Sequence, residues 1–210
     1  WQHEVAGKHG QPTYGAFNAR MVEKSLRHIP DYRKVAVTGE AIAECLDERS
    51  VRQRIEQVLN LSDMHGKFWV GGDLGYTSDP TELLLFREDD EEKTLELVLR
   101  IHAEHVPYPV ISEMIALLER VYHPQGIGID RGGNGLAVEQ ELLSLDKFRD
   151  LHLGGTLVGY NFGGSIAVGE DDRGKPLKKR VKEEMTQLIN DVLNKRILRL
   201  PKQDPEVEDQ

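Results

Sequence analysis

Cysteine is nearly absent. Cys45 is the only one in 210 residues, which excludes an internal disulfide and any multi-cysteine zinc site. It sits in AIAECLDERS, a helical-looking stretch, where a small buried hydrophobe is the expected role. Long apolar runs are missing too. None approaches the roughly 20 residues needed to span a bilayer, so no membrane partner is expected. No charged-then-apolar leader opens the chain, and nothing suggests secretion. It begins at Trp1 rather than Met, which reads as a fragment of something longer. There is no internal repeat and no low-complexity segment. Positive charge is also short: 27 Lys and Arg stand against 36 Asp and Glu, a formal net charge of −9. That is a poor start for holding nucleic acid, because neutralising phosphates needs basic surface.

What is present is enough for one ordinary domain with a short appendage. Hydrophobic residues make up 39% of the chain, which supports a core. The charge is unevenly spread. From Pro176 to Lys202 there are eight Lys and Arg against three Asp and Glu, a local net of +5, so the rest of the chain carries −14. Acidic residues in such excess can serve a metal centre or keep the domain soluble.

Residues 1–15 lack periodicity and read as a linker or arm. AFNARMVEKSLRHI (16–29) predicts a short helix, and DYRKVAVTGE (31–40) contains a short β-like run. In SVRQRIEQVLN (50–60), Ser50 and Gln53 have capping-box spacing, and Val51, Ile55, Val58 and Leu59 form an apolar stripe, which predicts a helix. After Gly66 the pattern changes. KFWVGGDL (67–74), TELLLFRE (81–88) and TLELVLRIHAEH (94–105) read as three strands; their short connections imply an antiparallel meander. A helix follows, with Pro109 in its first turn and Ile111, Met114, Ile115, Leu118 and Val121 at helical spacing. GIGID (126–130) predicts a fourth strand, 135–145 a second helix after the GGNG turn, and TLVGYNFG (156–163) a fifth strand. SIAVG has a strand nearby to pair with. Leu177, Val181, Met185, Leu188, Ile189 and Val192 mark one face of a further amphipathic helix, before an acidic tail, PKQDPEVEDQ. Strands four and five follow helical crossovers and should run parallel to a neighbour. The fold class expected is α/β, a ribonuclease H-like mixed five-stranded sheet with helices on both faces. Residues 1–66 read as a linker and helical segment, and 67–210 as the main domain.

Two aspartates end apolar strands: Asp73 closes FWVGGD and Asp130 closes GIGID. A carboxylate there is costly unless it is paired or bound to metal. Glycine-bearing loops follow each, leaving room for a phosphate backbone. Alone, either aspartate could be a turn residue or a helix N-cap. Two matched strand ends in one strand order favour a shared site, since the first and fourth strands would be adjacent at the sheet centre. Two hard oxygen donors close together make a Mg²⁺ or Mn²⁺ site.

GGDLGYTSDPTELLLF, YHPQGIGIDRGGNG, LVGYNFGG and KKRVKEEMTQLINDVLNKRILRLP, in that order, resemble the nuclease domain of viral terminase large subunits, as in tailed bacteriophages. The resemblance covers about Lys67 to Pro201. It implies metal-dependent endonuclease cleavage of double-stranded DNA during genome packaging, by hydrolysis with two Mg²⁺ or Mn²⁺ ions. Asp73 would bridge both ions and Asp130 would hold one; Lys178, Lys179, Arg180 and Lys182 would touch phosphates. Asp79, in SDPT, reads as a turn residue that can support the ligands from behind. By resemblance the full chain would carry an ATPase domain before residue 1, meet a portal and a small terminase subunit, and act in the host cytoplasm. The family's third metal-binding acid usually follows a further hairpin, in an Asp-x-x-Asp-Ala-like helix. No such segment occurs here, and it is expected beyond Gln210. Asp171, Asp172 and Asp209 are poor substitutes.

Other signals read more plainly. GEDDRGK (169–175) matches seven positions of a phosphate-binding loop, but Pro176 stands where Ser or Thr should ligate magnesium; a hairpin or helix-entry turn fits better. His102 and His105 flank Glu104, while His123 and His152 are scattered, and none has zinc spacing. KKRVK (178–182) reads as a solvated helix face or a DNA-backbone contact. Two other readings stay open: another ribonuclease H-like nuclease of the resolvase or integrase type, and a docking domain of the packaging motor that is catalytically incomplete.

Overall fold

The computed structural model describes residues 17–45, 47–75, 79–132, 135–151, 153–170 and 172–202. The linker expected at the N-terminus, the acidic tail beyond Lys202 with Asp209, His152 and Asp171 lie outside the described residues. The chain forms two compact units. The larger comprises Arg33–Glu88 and Val98–Tyr160, and the smaller Trp1–Tyr32, Asp89–Leu97 and Asn161–Gln210.

In the larger unit, β2 (Arg33–Thr38) precedes two helices, α2 (Gly39–Ala43) and α3 (Glu48–Leu59). Then come β3 (Lys67–Asp73), β4 (Thr81–Asp89), β5 (Thr94–Glu104), α4 (Tyr108–Tyr122), β6 (Gly126–Asp130), α5 (Gly135–Ser144) and β7 (Leu157–Tyr160); the last residue of β4 and the first four of β5 belong to the smaller unit. The sheet order is β5-β4-β3-β6-β7, with β2 parallel to β5. β3 is antiparallel to β4 and parallel to β6, and β6 is parallel to β7. This is the mixed α/β sheet expected, with all five strands in place and three more: β2, from the β-like run at 31–40, and two short strands from the ends of the described chain, at 26–27 and 198–201.

Alternation decides the two sheet faces. Phe68, Val70, Leu83, Leu85, Ile127 and Ile129 are buried on one. There the Phe68 ring meets Tyr122 of α4, centroids 5.0 Å apart. Tyr122 also donates its hydroxyl to the Ser62 carbonyl at 2.9 Å. The α4 residues expected inside, Ile111, Met114, Ile115 and Leu118, are all at most 1% exposed; Val121, assigned to the same stripe, is 38% exposed. On the other sheet face Trp69 is 41% exposed, Val158 47% and Tyr160 38%.

The smaller unit holds α1 (Ala19–Ser25), β1 (Leu26–Arg27), β8 (Ser165–Glu170), β9 (Pro176–Arg180), α6 (Val181–Asn194) and β10 (Leu198–Pro201). β10 runs parallel to β1 and to the first residues of β5, through Leu95 and Glu96. β8 and β9 form an antiparallel hairpin exposed along its whole length.

Some local expectations change. The helix expected over 16–29 is confined to α1, because Leu26 and Arg27 pair with β10. α3 starts at Glu48 under an Asp47 cap, and Ser50 is the third helical residue, closing a capping box with Asp47 rather than acting as the cap itself. Cys45 is half-buried between α2 and α3, not a core residue. Leu177, Lys178, Lys179 and Arg180 lie on β9, not on the helix, which begins at Val181. Leu177 and Val181 have helical spacing, but pairing with β8 holds the stretch extended. GEDDRGK spans the hairpin turn, with Gly174 at φ 74°. Among the described residues no helix is long and apolar enough to cross a membrane.

Gly135 opens α5 directly against the end of β6. A Cβ there would stand 1.8 Å from the Asp130 carbonyl oxygen, whereas one at Gly71 meets nothing within 4 Å. Gly135→Ala should therefore destabilise the chain by roughly 1–3 kcal/mol or more, as overpacking against rigid backbone does. Gly71→Ala should stay within about 1 kcal/mol. Denaturant unfolding of both variants checks this; equal midpoints would refute the close approach at Asp130.

Candidate metal centre

The site grows out of strand register. β3 and β6 pair through Trp69↔Gly126, Val70↔Ile127, Gly71↔Gly128 and Gly72↔Ile129. Asp73 and Asp130 are the next residue on each strand, so they share one sheet end and one face. The buried residues Val70 and Ile127 alternate to the opposite face and fix the register, since a one-residue slip would turn them outward.

The loops behind the acids are tight. After β3 the chain doubles back so closely that a Cβ at Gly75 would meet the Asp79 carbonyl oxygen at 2.1 Å. Thr81, fully buried, donates its hydroxyl to the Gly75 carbonyl at 2.7 Å. This closure returns Asp79 to the neighbourhood of Asp73. After β6 the Gly132 amide donates to Asp130 Oδ1 at 2.8 Å, and a Cβ at Gly132 would press on both carboxylate oxygens from about 3 Å.

Burial at the sheet end pushes the Asp73 carboxyl above the usual carboxylate range, although its outer surface stays exposed; the negative charges of Asp130, Asp79 and Glu82 push it further. The Leu74 amide opposes them. Among the described residues, the charged side chains that act on Asp73 are thus negative.

Sequence reasoning missed a second group on the same sheet face. Glu82 lies opposite Asp73 in the β3–β4 register. Its carboxylate accepts two bonds from Arg100, Nη2 at 2.9 Å and Nε at 3.0 Å, and a third contact from His102 Nδ1 at 2.6 Å. The other imidazole nitrogen, Nε2, is 3.1 Å from Glu104 Oε1. Burial would raise Glu82, but hydrogen bonds from Arg100 and His102 outweigh it and hold the carboxyl low. His102 is raised by its bond to Glu82, against burial and with help from Glu104. Arg100, His102 and Glu104 stand two residues apart on one strand, and that alternation was the available signal. His102 is an ion-pair partner of carboxylates, in keeping with its lack of zinc spacing.

Arg131, next to Asp130, is turned to Glu139 of α5, with bonds of 2.5 and 2.6 Å. Lys178, Lys179 and Arg180 occupy β9 and Lys182 the first turn of α6, all in the smaller unit. Lys179 meets Glu184 at 3.0 Å and Arg180 meets Glu183 at 3.9 Å. Asp172 is in the exposed hairpin turn, and His123 is the left-handed cap of α4. Among the described residues no three His, Cys, Asp or Glu side chains converge tightly enough to hold an ion by themselves. The donor set fits a hard divalent cation nonetheless, since magnesium is commonly held by one or two carboxylates plus water and substrate phosphates.

No protein-family model matches the chain, and no curated protein does. Solved structures similar to it include the nuclease domain of the P22 large terminase, at 11% identity and TM-score 0.34, over 68% of this chain and 64% of that one. The yeast mitochondrial Holliday junction resolvase Ydc2 is similar at 8% identity and TM-score 0.37, over 74% of each. A Mn-soaked, inhibitor-bound human cytomegalovirus terminase nuclease domain is similar at 12% identity and TM-score 0.36, over 75% of this chain and 76% of that one.

Two outcomes follow from the electrostatics. Because ionised Asp73 is disfavoured in the fold, stability should decline as pH rises through the interval between its ordinary and its raised pKa. Asp73→Asn removes the repulsion, so without metal its melting temperature at neutral pH should equal or exceed that of the parent, with the gain shrinking in acid. A lower melting temperature would identify Asp73 as a structural acceptor instead.

His102 behaves in the opposite sense. Its protonated form is favoured by the fold, so its contribution is complete below the ordinary histidine value of 6.5 and is lost as pH rises through the raised one. Melting curves of the parent and His102→Gln should converge in alkali and diverge in acid. Parallel curves would exclude the ion pair.

Proposed function

We propose that the chain is a divalent-metal-dependent endonuclease of the terminase large-subunit type, cutting double-stranded DNA during viral genome packaging. The observation that carries this is the end of β3 and β6, where Asp73 and Asp130 follow the last paired residues of two adjacent parallel strands and, among the described residues, the charges acting on Asp73 are those of Asp130, Asp79 and Glu82. Uncompensated carboxylates of this kind are a liability to folding and an asset to a cation site. The ordered sequence blocks around Asp73, Asp130 and the basic stretch support the same reading.

Asp73 and Asp130 would hold the Mg²⁺ or Mn²⁺ ions, with Asp79 behind them. Bound there, such ions supply an activated water and charge stabilisation for the leaving oxygen of a phosphodiester. Asp73 must be deprotonated to ligate, so its raised pKa makes metal loading weaken in acid. The Glu82–Arg100–His102 cluster keeps Glu82 committed to its own cations and leaves Asp73 free. Lys178, Lys179 and Arg180 lie on an exposed two-stranded ribbon, a shape that a DNA major groove admits, with Lys182 beyond it. They would contact phosphates without reading bases, giving little sequence preference. An ATPase domain, a portal, a small terminase subunit and the host cytoplasm complete this reading.

One observation favours a second reading, a motor docking domain without catalysis: no third metal-binding side chain joins the pair among the described residues.

Plasmid nicking with Mn²⁺ separates the two. Asp73→Asn and Asp130→Asn should each abolish nicking by the active parent while leaving melting and DNA binding intact. Reversing Lys178, Lys179 and Arg180 to Glu should weaken binding and flatten its salt dependence by nearly one unit of slope per lost contact. A longer chain that includes the segment expected beyond Gln210, binds Mn²⁺ and DNA and never nicks would establish the docking reading, and nicking by it that survives both Asn variants would remove these acids from the chemistry.

A further inference from the structure

The smaller unit contains a pocket of about 260 Å³ whose wall is dominated by cations: Lys24, Arg27, Arg196 and Arg199 against a single carboxylate, Glu92. Its geometry follows from the local fold. Lys24 is in the last turn of α1, and Arg27 is in β1, which β10 flanks in parallel. Arg196 follows α6 with φ 57°, a left-handed residue that stops the helix before β10 begins. Arg199 is engaged, donating to Glu96 at 3.1 Å and to Glu92. Arg27 donates to its neighbour's carbonyl, Leu26, at 2.7 Å. Lys24, Arg27 and Arg196 have no ion-pair partner among the described residues.

We propose that this pocket binds a phosphate group. Three cations without carboxylate partners around one small cavity repel one another, and an oxyanion relieves that repulsion. Guanidinium groups match phosphate oxygens in fork geometry, and lysine supplies a point charge. Thr94 lines the same wall: it is 6% exposed, and its buried hydroxyl has no hydrogen-bond partner among the described residues. The pocket is smaller than the roughly 300–1,000 Å³ usual for small-molecule sites. Its wall contains no aromatic ring, and Leu198 is its only apolar side chain. It therefore suits a phosphate without its base. The source that fits is a backbone phosphodiester of DNA, an assignment that rests on the nuclease reading; free phosphate shares the chemistry.

The test titrates inorganic phosphate into the chain and follows the backbone amides of Arg196 and Leu198 by NMR. The parent should show saturable shifts, and Lys24→Gln with Arg196→Gln should weaken binding at least about tenfold, as loss of charge-assisted bonds does. The glutamine pair keeps side-chain size, and a folded far-UV spectrum qualifies it; Arg27→Gln serves if it fails. A DNA duplex that displaces phosphate, with a salt slope lower by about one to two units in the variant, establishes the backbone source. A duplex that binds and leaves the phosphate shifts in place overturns the backbone source and assigns the pocket to free phosphate. No shifts in the parent, or equal binding by the variant, overturns the pocket. Cleavage is not a readout, so a failure of the nuclease reading would show at Asp73 and Asp130 and not here.

Discussion

Parallel pairing of β3 with β6 is the constraint on which the candidate site depends. Adjacent parallel strands end on the same side, so the last residues of KFWVGGD and GIGID arrive together. Antiparallel strands in the same order would send them to opposite edges. Parallel neighbours need a crossover, and here it is β4, β5 and the buried helix α4. The apolar face of α4 is thus what sets two carboxylates side by side, through the burial of Phe68, Val70, Ile127 and Ile129. Repulsion between the acids is tolerated because that core holds the register.

The disposal of nearby cations is equally selective. Arg100 and His102 are bound to Glu82, and Arg131 is bound to Glu139. Each could have neutralised an aspartate and instead neutralises a glutamate. The field at the sheet end stays negative, which favours a small divalent ion and opposes bare DNA. The chain's concentrated positive charge lies elsewhere in the sequence, around β9, α6 and the pocket beside β10. A net charge of −9 therefore describes neither region.

Much of the fold was legible in the residues. Apolar composition gave β3 and β4, alternation gave β5, the apolar periodicity marked α4, and the Asp at each strand end could be read from GGD and GID. Paired strands in the smaller unit were harder. β1 and β10 are stretches of two and four residues whose partners are remote in sequence, so no local pattern marks them. β9 was hidden by helix-compatible residues and emerges only through its partner β8. The Glu82 cluster was only partly legible for a related reason: Arg100, His102 and Glu104 alternate along one strand, but Glu82 sits on another, and only the β3–β4 register reveals that Glu82 faces Asp73. The basic pocket gathers Lys24, Glu92 and Arg196 from three distant parts of the chain, a convergence that spacing does not encode.

The β8–β9 ribbon has one more consequence. Both of its faces are exposed, so its cross-strand hydrogen bonds lie open to solvent. An isolated two-stranded hairpin is marginal in water. Local opening of the hairpin would therefore be expected before global unfolding, with its amide protons exchanging faster than those of β3 and β6. The Lys178-Lys179-Arg180 stretch is also a trypsin-type cleavage sequence displayed on this exposed hairpin. Limited digestion would be expected to cut there while the carboxylate-bearing sheet stays intact.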